Sequence, residues 1–442
     1  MNGDVIKVGL YGIGKSNIAL KNYLSQHYKC KFTLRADKPC SVPDWVERAY
    51  FGTNVLDDLC EDILFLSPSV RRQRREIEEA ILHGLRVSSD CEMYYELCGA
   101  PQYAVTGSDG KSTTTYLIAD MLSRSGKSAL PAGNFGQPLI ELCGSSAIAV
   151  AELSSFQLTY AVPTVHRAVI TNISPNHLDW RKSFGEYSSA KLALGRCADG
   201  CIIDADCELL MSLTDFPPEV AVSLQKSEAE LMHTVKARHY MTYRNGKLVL
   251  DGKQLLDVTG AIKLEEHNLK NYMLAAAAVT EDATADAIRE AIVSFRGLPH
   301  RAETVAVFKG IEFIDSSIDT SPTRTLATLS SYGDDTAVII CGRSKGFDYA
   351  PLAKALPEKT CGAVLMGEVG ACVAPLISDA KYHKVYAESM ADAVAYAADM
   401  LGGSGRVILS PAGTSYDKYE NYIQRGTDFT LATKKYITSK DV

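Results

Sequence analysis

The chain has 442 residues, 46% of them hydrophobic and 22% charged, with a formal net charge of −7. That length favours about three domains of roughly 150 residues each, and the composition supplies more than one apolar core and excludes global disorder. The acidic balance speaks against a nucleic-acid binder, which carries a basic excess or stripe. No apolar run approaches the roughly 20 residues of a membrane span.

The N-terminus runs from Met1 directly into a strand pattern, so no targeting segment is expected and a soluble, cytoplasmic protein is predicted. VIKVGLYGIGKSNIALKNYLSQ (5–26) reads as strand, glycine turn and helix, and KCKFTLRAD (29–37) supplies a second strand. Gly9, Gly12 and Gly14 follow G-x-x-G-x-G rather than the dinucleotide fingerprint G-x-G-x-x-G. A Rossmann-like domain follows from this pattern; NAD binding does not, which sets an oxidoreductase aside. DILFLSPSV (62–70) is a further buried strand ending in a turn. The cluster Arg71-Arg72-Gln73-Arg74-Arg75 opens a charged helix over 71–84 and reads as a solvated face. This first domain is placed at 1–96. Twelve cysteines are scattered without a C-x-x-C pair. They lack the rhythm of a zinc site and read as reduced, mostly buried thiols.

The second domain, 97–296, carries VTGSDGKSTTTYLIADML (105–122): a short strand, a glycine-bracketed turn, a lysine, a run of hydroxyls and a helix. It is a shortened relative of the phosphate loop G-x-x-x-x-G-K-[ST]. Gly107 and Gly110 permit the tight turn, and the loop N–H groups and helix end behind them suit an anion. Lys111 offers a point charge to the outer phosphates, and Ser112 or Thr113 a hydroxyl to Mg²⁺. A polar turn that merely caps a helix does not call for this order of residues. AIAVAELSSF (147–156) and HRAVITNIS (166–174) are apolar runs stopped by polar residues, as in parallel strands whose C-terminal ends face a site. Glu152 sits at such an end, where a bare carboxylate is costly to bury without a cation. Taken alone, His177 reads as a structural hydrogen-bonder, and Asp179 equally as helix cap or site residue. SFGEYSSAKLALGRCA (183–198) is a helix with a Ser183–Glu186 capping box, and Lys191 on it reads as a snorkelling surface lysine. The alanine-rich run His267–Ala285 is helical, with Asn268 and Asn271 on one face. The third domain, 297–442, alternates strands (FKGIEFIDSS, DTAVIICGRS, CGAVLMG, RVILSPAG) with helices. The predicted fold is therefore α/β in three domains: a Rossmann-like N-terminal domain, a central P-loop ATPase-type parallel sheet and a C-terminal Rossmann-like domain.

The compact loop T-G-x-x-G-K-[ST] resembles that of the Mur ligases and their folyl-polyglutamate synthetase relatives. AELSSFQL (151–158), TNISPNHLD (171–179), YSSAKLAL (187–194), HNLKN (267–271), GLPHRAE (297–303), CGRSKGFDY (341–349) and LSPAGTSYDKYENYIQRG (409–426) extend the resemblance, in order, over nearly the whole chain. Within that family, ELSSFQL and the final segment resemble the member that adds D-glutamate. The resemblance implies an ATP-dependent ligase joining D-glutamate to UDP-N-acetylmuramoyl-L-alanine through an acyl phosphate, in peptidoglycan precursor synthesis. It implies a monomer acting on these small molecules, without nucleic-acid or membrane partners. A sibling ligase with another acceptor amino acid is the near alternative. A nucleotide-binding scaffold without chemistry is opposed by the joint presence of Lys111, Glu152, His177 and Lys191.

The same resemblance implies two Mg²⁺ ions held by Ser112, Glu152, His177 and Lys191, with Lys191 carbamylated by CO₂ into a carboxylate-like ligand. Lys111, His177 and Lys191 would be catalytic. ATP would meet Gly107, Ser108, Asp109, Gly110, Lys111, Ser112 and Thr113, with Asn268 and Asn271 at the adenine. Arg301, beside His300, and Asp315 would come from a third domain that closes as a lid. UDP-sugar contacts would be Gly12, Ile13, Arg35, Asp37, Ser67, Ser69 and Asn134. The acceptor would meet Thr320, Lys345, Ser415 and Tyr422, although Ser415 and Tyr422 also read as helix-start and core positions. One segment departs from the pattern. Where many members read N-D-S-K-A-T-N, this chain has Asp315-Ser316-Ser317-Ile318-Asp319-Thr320-Ser321. Ile318 replaces the lysine, the aspartate falls at Asp315 or is absent, and Arg324 is expected to supply the missing positive charge.

Overall fold

A computed structural model describes residues 5–67, 70, 72, 74–174, 184–344 and 346–441. The chain divides into two compact units, Met1–Phe295 and Arg296–Val442. The first unit holds two sheets and the second holds one. Among the described residues no helix is long and apolar enough to cross a membrane.

The N-terminal sheet is wholly parallel. Its strands β1 (Ile6–Tyr11), β2 (Cys30–Ala36), β3 (Val46–Phe51), β4 (Ile63–Leu66) and β5 (Arg86–Ser88) lie in the order β3-β2-β1-β4-β5. Helices α1 (Lys15–His27), α2 (Arg75–Leu82) and α3 (Asp90–Cys98) alternate with them. All four residues of β4 are buried, which is why it reads as an unbroken apolar run rather than an alternating one. The chain crosses from β1 to β2 on one side and reaches β4 on the other, so the strand order reverses at β1. A crevice therefore opens past the C-terminal end of β1, where sheets of this kind take ligands.

The central sheet runs parallel through β6 (Tyr103–Thr106), β7 (Ala129–Gly133), β8 (Ile148–Glu152), β9 (Val165–Ile170), β10 (Ala198–Asp204), β11 (Val220–Ser223) and β12 (His239–Arg244). Antiparallel β13 (Lys247–Leu250) and β14 (Lys253–Asp257) complete the order β14-β13-β12-β11-β10-β9-β6-β8-β7. Its helices are α4 (Lys111–Arg124), α5 (Ser155–Tyr160), α6 (Phe184–Arg196), α7 (Glu208–Leu213), α8 (Glu228–Thr234), α9 (Glu266–Val279) and α10 (Ala285–Ser294). β6 lies between β9 and β8, so the switch point of this sheet is the end of β6, and the glycine turn springs from it. The expected alanine-rich helix stops at Val279, because Thr284 caps a new one by accepting the N–H of Ala287. The small side chains of Ala275, Ala276, Ala277 and Ala278 are buried and let α9 pack closely on α4. α6 occupies the predicted 183–198 helix, while its expected cap, Ser183, lies outside the described residues. The reading of all cysteines as free thiols is corrected: Cys98, the last residue of α3, is bonded to Cys143.

In the second unit β15 (Glu303–Phe308), β16 (Ile311–Asp315), β17 (Thr336–Ile340), β18 (Gly362–Leu365), β19 (His383–Tyr386) and β20 (Gly405–Leu409) take the order β15-β16-β20-β17-β18-β19, parallel except for β15. Helices α11 (Pro322–Leu329), α12 (Ala350–Lys359), α13 (Gly367–Val373), α14 (Met390–Met400) and α15 (Tyr422–Lys440) connect and cover it. The single strand expected over FKGIEFIDSS is broken. Lys309 and Gly310 take φ of 47° and 82°, the left-handed pair of a tight hairpin turn, and so β15 folds back on β16.

Arg35 had been expected at the nucleotide. Its side chain is instead fully buried and makes a bidentate pair with Glu61, at 2.8 and 3.1 Å. Its remaining donors go to the carbonyls of Val55, Asp57 and Asp58, so every N–H of the guanidinium is committed and none is left for a ligand. Arg35→Met strands the Glu61 carboxylate and is expected to cost about 3–5 kcal/mol, read as a lower urea midpoint, with most of the loss recovered in Arg35→Met/Glu61→Leu. A single variant as stable as the parent contradicts this.

Candidate functional site

The glycine turn is shaped by what lies against it. Gly107 has φ of 147°, and a Cβ there would collide with the Thr171 hydroxyl. Gly110 has φ of 78°, and a Cβ there would meet the Asn271 amide oxygen. Both positions therefore need glycine for conformation and for space. The turn is laced to the end of β9. Asn172 Oδ1 accepts the N–H groups of Ser108 (3.2 Å) and Asp109 (2.9 Å), and Thr171 Oγ1 donates to Asp109 O (2.5 Å). Ser108 Oγ accepts from Ser174 N (2.9 Å) and lies 2.8 Å from Tyr187 Oη on α6. In sequence TNIS is a strand end and part of a family motif, but no spacing signal marks Thr171 and Asn172 as partners of a loop more than 60 residues earlier. Behind the turn, the first-turn N–H groups of α4 and its positive dipole end suit a phosphate. Lys111 Nζ folds back to Ser108 O at 2.8 Å, and Ser112 is buried.

Two charged residues flank this turn. Glu152 pairs in register with Val105, two residues before Gly107. It is 1% exposed; Oε1 accepts from Asn134 Nδ2 at 2.5 Å, while Oε2 is buried with no hydrogen-bond partner among the described residues. Asn134, expected at the UDP-sugar, is therefore engaged with Glu152. Lys191 is not a surface lysine. It is 2% exposed, its Nζ donates to Gly107 O at 2.5 Å, and it lies over the Tyr187 ring at 4.6 Å. Periodicity could not have found this, because a lysine on an amphipathic helix ordinarily faces water. His177 and Asp179 lie outside the described residues. Asn268 Nδ2 donates to Glu265 Oε2 at 3.0 Å, and Asn271 Oδ1 accepts from Thr114 Oγ1 at 3.3 Å. Asn271 thus buttresses the phosphate turn, its amide oxygen already taken.

The crevice past β1 is a cavity of about 380 Å³ lined in part by Tyr11, Gly12, Lys15, Ser16, Asp37 and Ser67. Gly12 has φ of 89°, and a Cβ there would strike the Ser67 hydroxyl. Its N–H bonds Arg35 O at 2.7 Å. The backbone of Arg35, not its side chain, thereby shapes the cavity. Of the other expected nucleotide contacts, Ile13 is half-buried at the same turn, and Ser69 lies outside the described residues.

In the second unit Arg301 sits between two left-handed residues, His300 (φ 60°) and Ala302 (φ 49°). This strained turn is held by His300 N to Glu303 Oε2 (2.9 Å), Ala302 N to Ser316 Oγ (3.3 Å) and the His300 Nδ1–Asp315 Oδ2 pair (2.7 Å). Burial disfavours the charged imidazole, but its hydrogen bond to Asp315 and the charge of that carboxylate outweigh burial and hold His300 above its ordinary pKa. The imidazole, the carboxylates of Asp315 and Glu303 and the Ser316 hydroxyl thus hold the Arg301 turn in shape. Thr320 N donates to Ile318 O at 2.8 Å, and Arg324 Nη1 reaches the same carbonyl at 3.3 Å. The arginine's charge therefore stands beside the position where the pattern departs. Ser415 is buried, and Tyr422 begins α15 with its ring edge-on to His300. Lys345 lies outside the described residues. Arg425, which the sequence did not single out, is fully buried and ties Ser317 (Oγ 3.0 Å, O 2.8 Å) to Gly413 O (3.0 Å). It joins the loop after β16 to the loop after β20.

A parallel sheet with a glycine-lysine phosphate turn at its switch point, flanked by a buried acid and a buried lysine, defines a phosphate-handling α/β enzyme. Residues 105–279 match the Mur ligase middle domain. The chain is 34% identical, over 96% of its length and 95% of the relative's, to the UDP-N-acetylmuramoylalanine–D-glutamate ligase of Acetivibrio thermocellus. It is 33% identical to the protein of that name from Symbiobacterium thermophilum, covering 96% of each. The chain belongs to the Mur ligase family. In fold it is similar to the UDP-N-acetylmuramate-alanine ligase of Thermotoga maritima (TM-score 0.56, 18% identity, 98% of this chain and 100% of that one). It is also similar to a UDP-N-acetylmuramoyl-L-alanyl-D-glutamate–2,6-diaminopimelate ligase (TM-score 0.54, 16% identity, 86% and 92%).

Asn172→Ala removes the side-chain acceptor of two loop N–H groups; Ser108 N keeps the Asn172 carbonyl at 3.0 Å, while the Asp109 N–H loses its acceptor at a cost of about 1–3 kcal/mol. The variant is expected to raise the KM for ATP by roughly tenfold or more while UDP affinity stays unchanged. An unaltered ATP KM would mean that the lacing does not shape the loop.

Proposed function

We propose that this chain is an ATP-dependent ligase that joins D-glutamate to UDP-N-acetylmuramoylalanine in peptidoglycan precursor synthesis. The observation that carries the reading is the grouping around one turn: Lys111 and the buried Lys191 both bond carbonyls of the Gly107–Gly110 segment, and Glu152 pairs in register with Val105 on the strand that leads into it. Near-full-length similarity to ligases of that name supports the choice of substrates. In the assigned reaction the donor carboxylate attacks the γ-phosphorus of ATP and ADP leaves, giving an acyl phosphate. The D-glutamate amine then attacks the acyl carbon, inorganic phosphate leaves, and the amine gives up a proton.

The chain's contribution is placement and charge. Lys111, Ser112, Thr113 and the turn residues Gly107, Ser108, Asp109 and Gly110 would hold the ATP phosphates, with Asn268 and Asn271 toward adenine. Glu152 Oε2, buried with no donor among the described residues, fits a divalent cation, because a buried carboxylate oxygen calls for a partner. Ser112, Glu152, His177 and a carbamylated Lys191 would hold Mg²⁺. Carbamylation joins Lys191 Nζ to the carbon of CO₂ with loss of two protons from the ammonium, converting the cation into an anionic oxygen ligand. Bound Mg²⁺ neutralises phosphoryl oxygens. The three segments 1–96, 97–296 and 297–442 would serve the UDP-sugar, ATP and the acceptor in turn. Gly12, Ile13, Asp37, Ser67 and Ser69 take the first role. Thr320, Lys345, Ser415 and Tyr422 bind the amino acid.

Phosphate release is the direct assay, run with ATP, Mg²⁺, UDP-N-acetylmuramoylalanine and D-glutamate, each omitted in turn. Release is expected only with all four present, and L-glutamate is expected not to replace D-glutamate. Under the same conditions Lys191→Ala should fall by roughly a hundredfold or more, with partial recovery in added acetate. Release without the acceptor, or full activity of the alanine variant, would overturn the corresponding assignment.

A further inference from the structure

The basic run at 71–75 reads from sequence as a solvated face, yet Arg74 bonds two residues that line the β1 cavity, Tyr11 and Asp37. It precedes α2 in extended conformation, and its guanidinium carbon lies 5.2 Å from the centre of the Tyr11 ring. Nη1 donates to Tyr11 Oη, and Nη1 and Nη2 both lie 3.2 Å from Asp37 Oδ1. Tyr11 Oη in turn donates to that same oxygen at 2.7 Å. All these contacts load Oδ1. Among the described residues nothing bonds Oδ2, and the Asp37 side chain is 58% exposed where it lines the cavity. The Tyr11 hydrogen bond, aided by Arg74 and opposed by partial burial, holds the Asp37 carboxyl below its usual range. Asp37 is therefore an ionised acceptor with one oxygen immobilised and the other vacant.

We propose that Arg74 is a positioning residue for the donor substrate: with Tyr11 it fixes Asp37 so that Oδ2 accepts a hydrogen bond from the nucleoside. The proposal rests on the nucleotide-sugar reading of this cavity. The recognised group is an N–H or O–H donor, either the imide of uracil or a ribose hydroxyl, because a carboxylate repels phosphate. The diphosphate then belongs at Gly12–Ser16, which leads into α1 and where Lys15, whose Nζ also donates to Gly136 O, adds a cation. An acid for the nucleoside and a base for the diphosphate orient the nucleotide. An acid at the end of the second strand of such a sheet is also well placed for a ribose hydroxyl.

The test is equilibrium binding of UDP to the full chain by calorimetry, with 2′-deoxy-UDP and 3-methyl-UDP as comparison probes. The parent should bind UDP and lose about tenfold or more with one of the two analogues, which identifies the donor group. Arg74→Ala should weaken UDP by about tenfold and erase the discrimination between UDP and that analogue. Arg74→Lys should retain part of both, and the KM for ATP should not move. Asp37→Asn should reproduce the loss, with Arg74→Ala/Asp37→Asn no worse than either single change. Unchanged UDP affinity in Arg74→Ala, or a weakening that leaves the discrimination intact, overturns the proposal. Should Arg74→Ala not fold, Asp37→Asn carries the test, and retained discrimination there overturns it equally. A parent chain that binds no UDP defeats the reading of the cavity itself.

Discussion

The hydrogen bonds between the Gly107–Gly110 turn and the end of β9 are the constraint on which the site depends. A loop that must approach phosphate oxygens closely cannot carry side chains at its bends, and so gains no rigidity from its own packing. Here the rigidity comes from Thr171 and Asn172, which bind both sides of the Ser108–Asp109 segment. Because β9 and β6 are adjacent parallel strands, the lacing residues stand beside the loop as a result of topology. The switch point opens the crevice, and the neighbouring strand supplies the clamp.

Electrostatics build outward from that turn. The turn carbonyl of Gly107 takes the Lys191 ammonium, and the adjacent strand brings a carboxylate whose second oxygen has no donor among the described residues. Both side chains are almost fully buried, where unpaired charge is costly. A protein seldom retains a half-satisfied buried acid for stability, and the proposed function gives Glu152 a cation as its working partner. The second unit solves a comparable problem differently: its strained Arg301 turn is braced by a histidine, two acids and a serine hydroxyl, and buried Arg425 ties the neighbouring loops together.

Much of this was legible in the sequence because it is local. The spacing of Gly107, Gly110, Lys111 and Ser112 declares the phosphate turn, and alternating apolar runs and helices declare the α/β fold. Partnerships across long sequence separation were not legible. Arg35 looked like a ligand contact because it ends a strand beside the cavity, yet Glu61 and three carbonyls absorb all its donors. Lys191, taken by itself, reads as a surface residue because helical periodicity says nothing of a carbonyl on another element; only the family resemblance assigns it to the site. Arg74 looked solvated because a run of arginines usually is; its partners, Tyr11 and Asp37, come from two other strands. The break at Lys309-Gly310 was missed because its flanks share β-like composition, and only the left-handed pair distinguishes a turn from a continuous strand.

The central claim is that this turn passes a phosphoryl group to a carboxyl group of the donor substrate. The most direct measurement follows an ¹⁸O label placed in the alanyl carboxylate of UDP-N-acetylmuramoylalanine through one round of ligation with ATP and D-glutamate. The account predicts that label appears in the inorganic phosphate, because a carboxyl oxygen bonds phosphorus before the amine displaces it. Unlabelled phosphate beside newly formed amide would contradict the account.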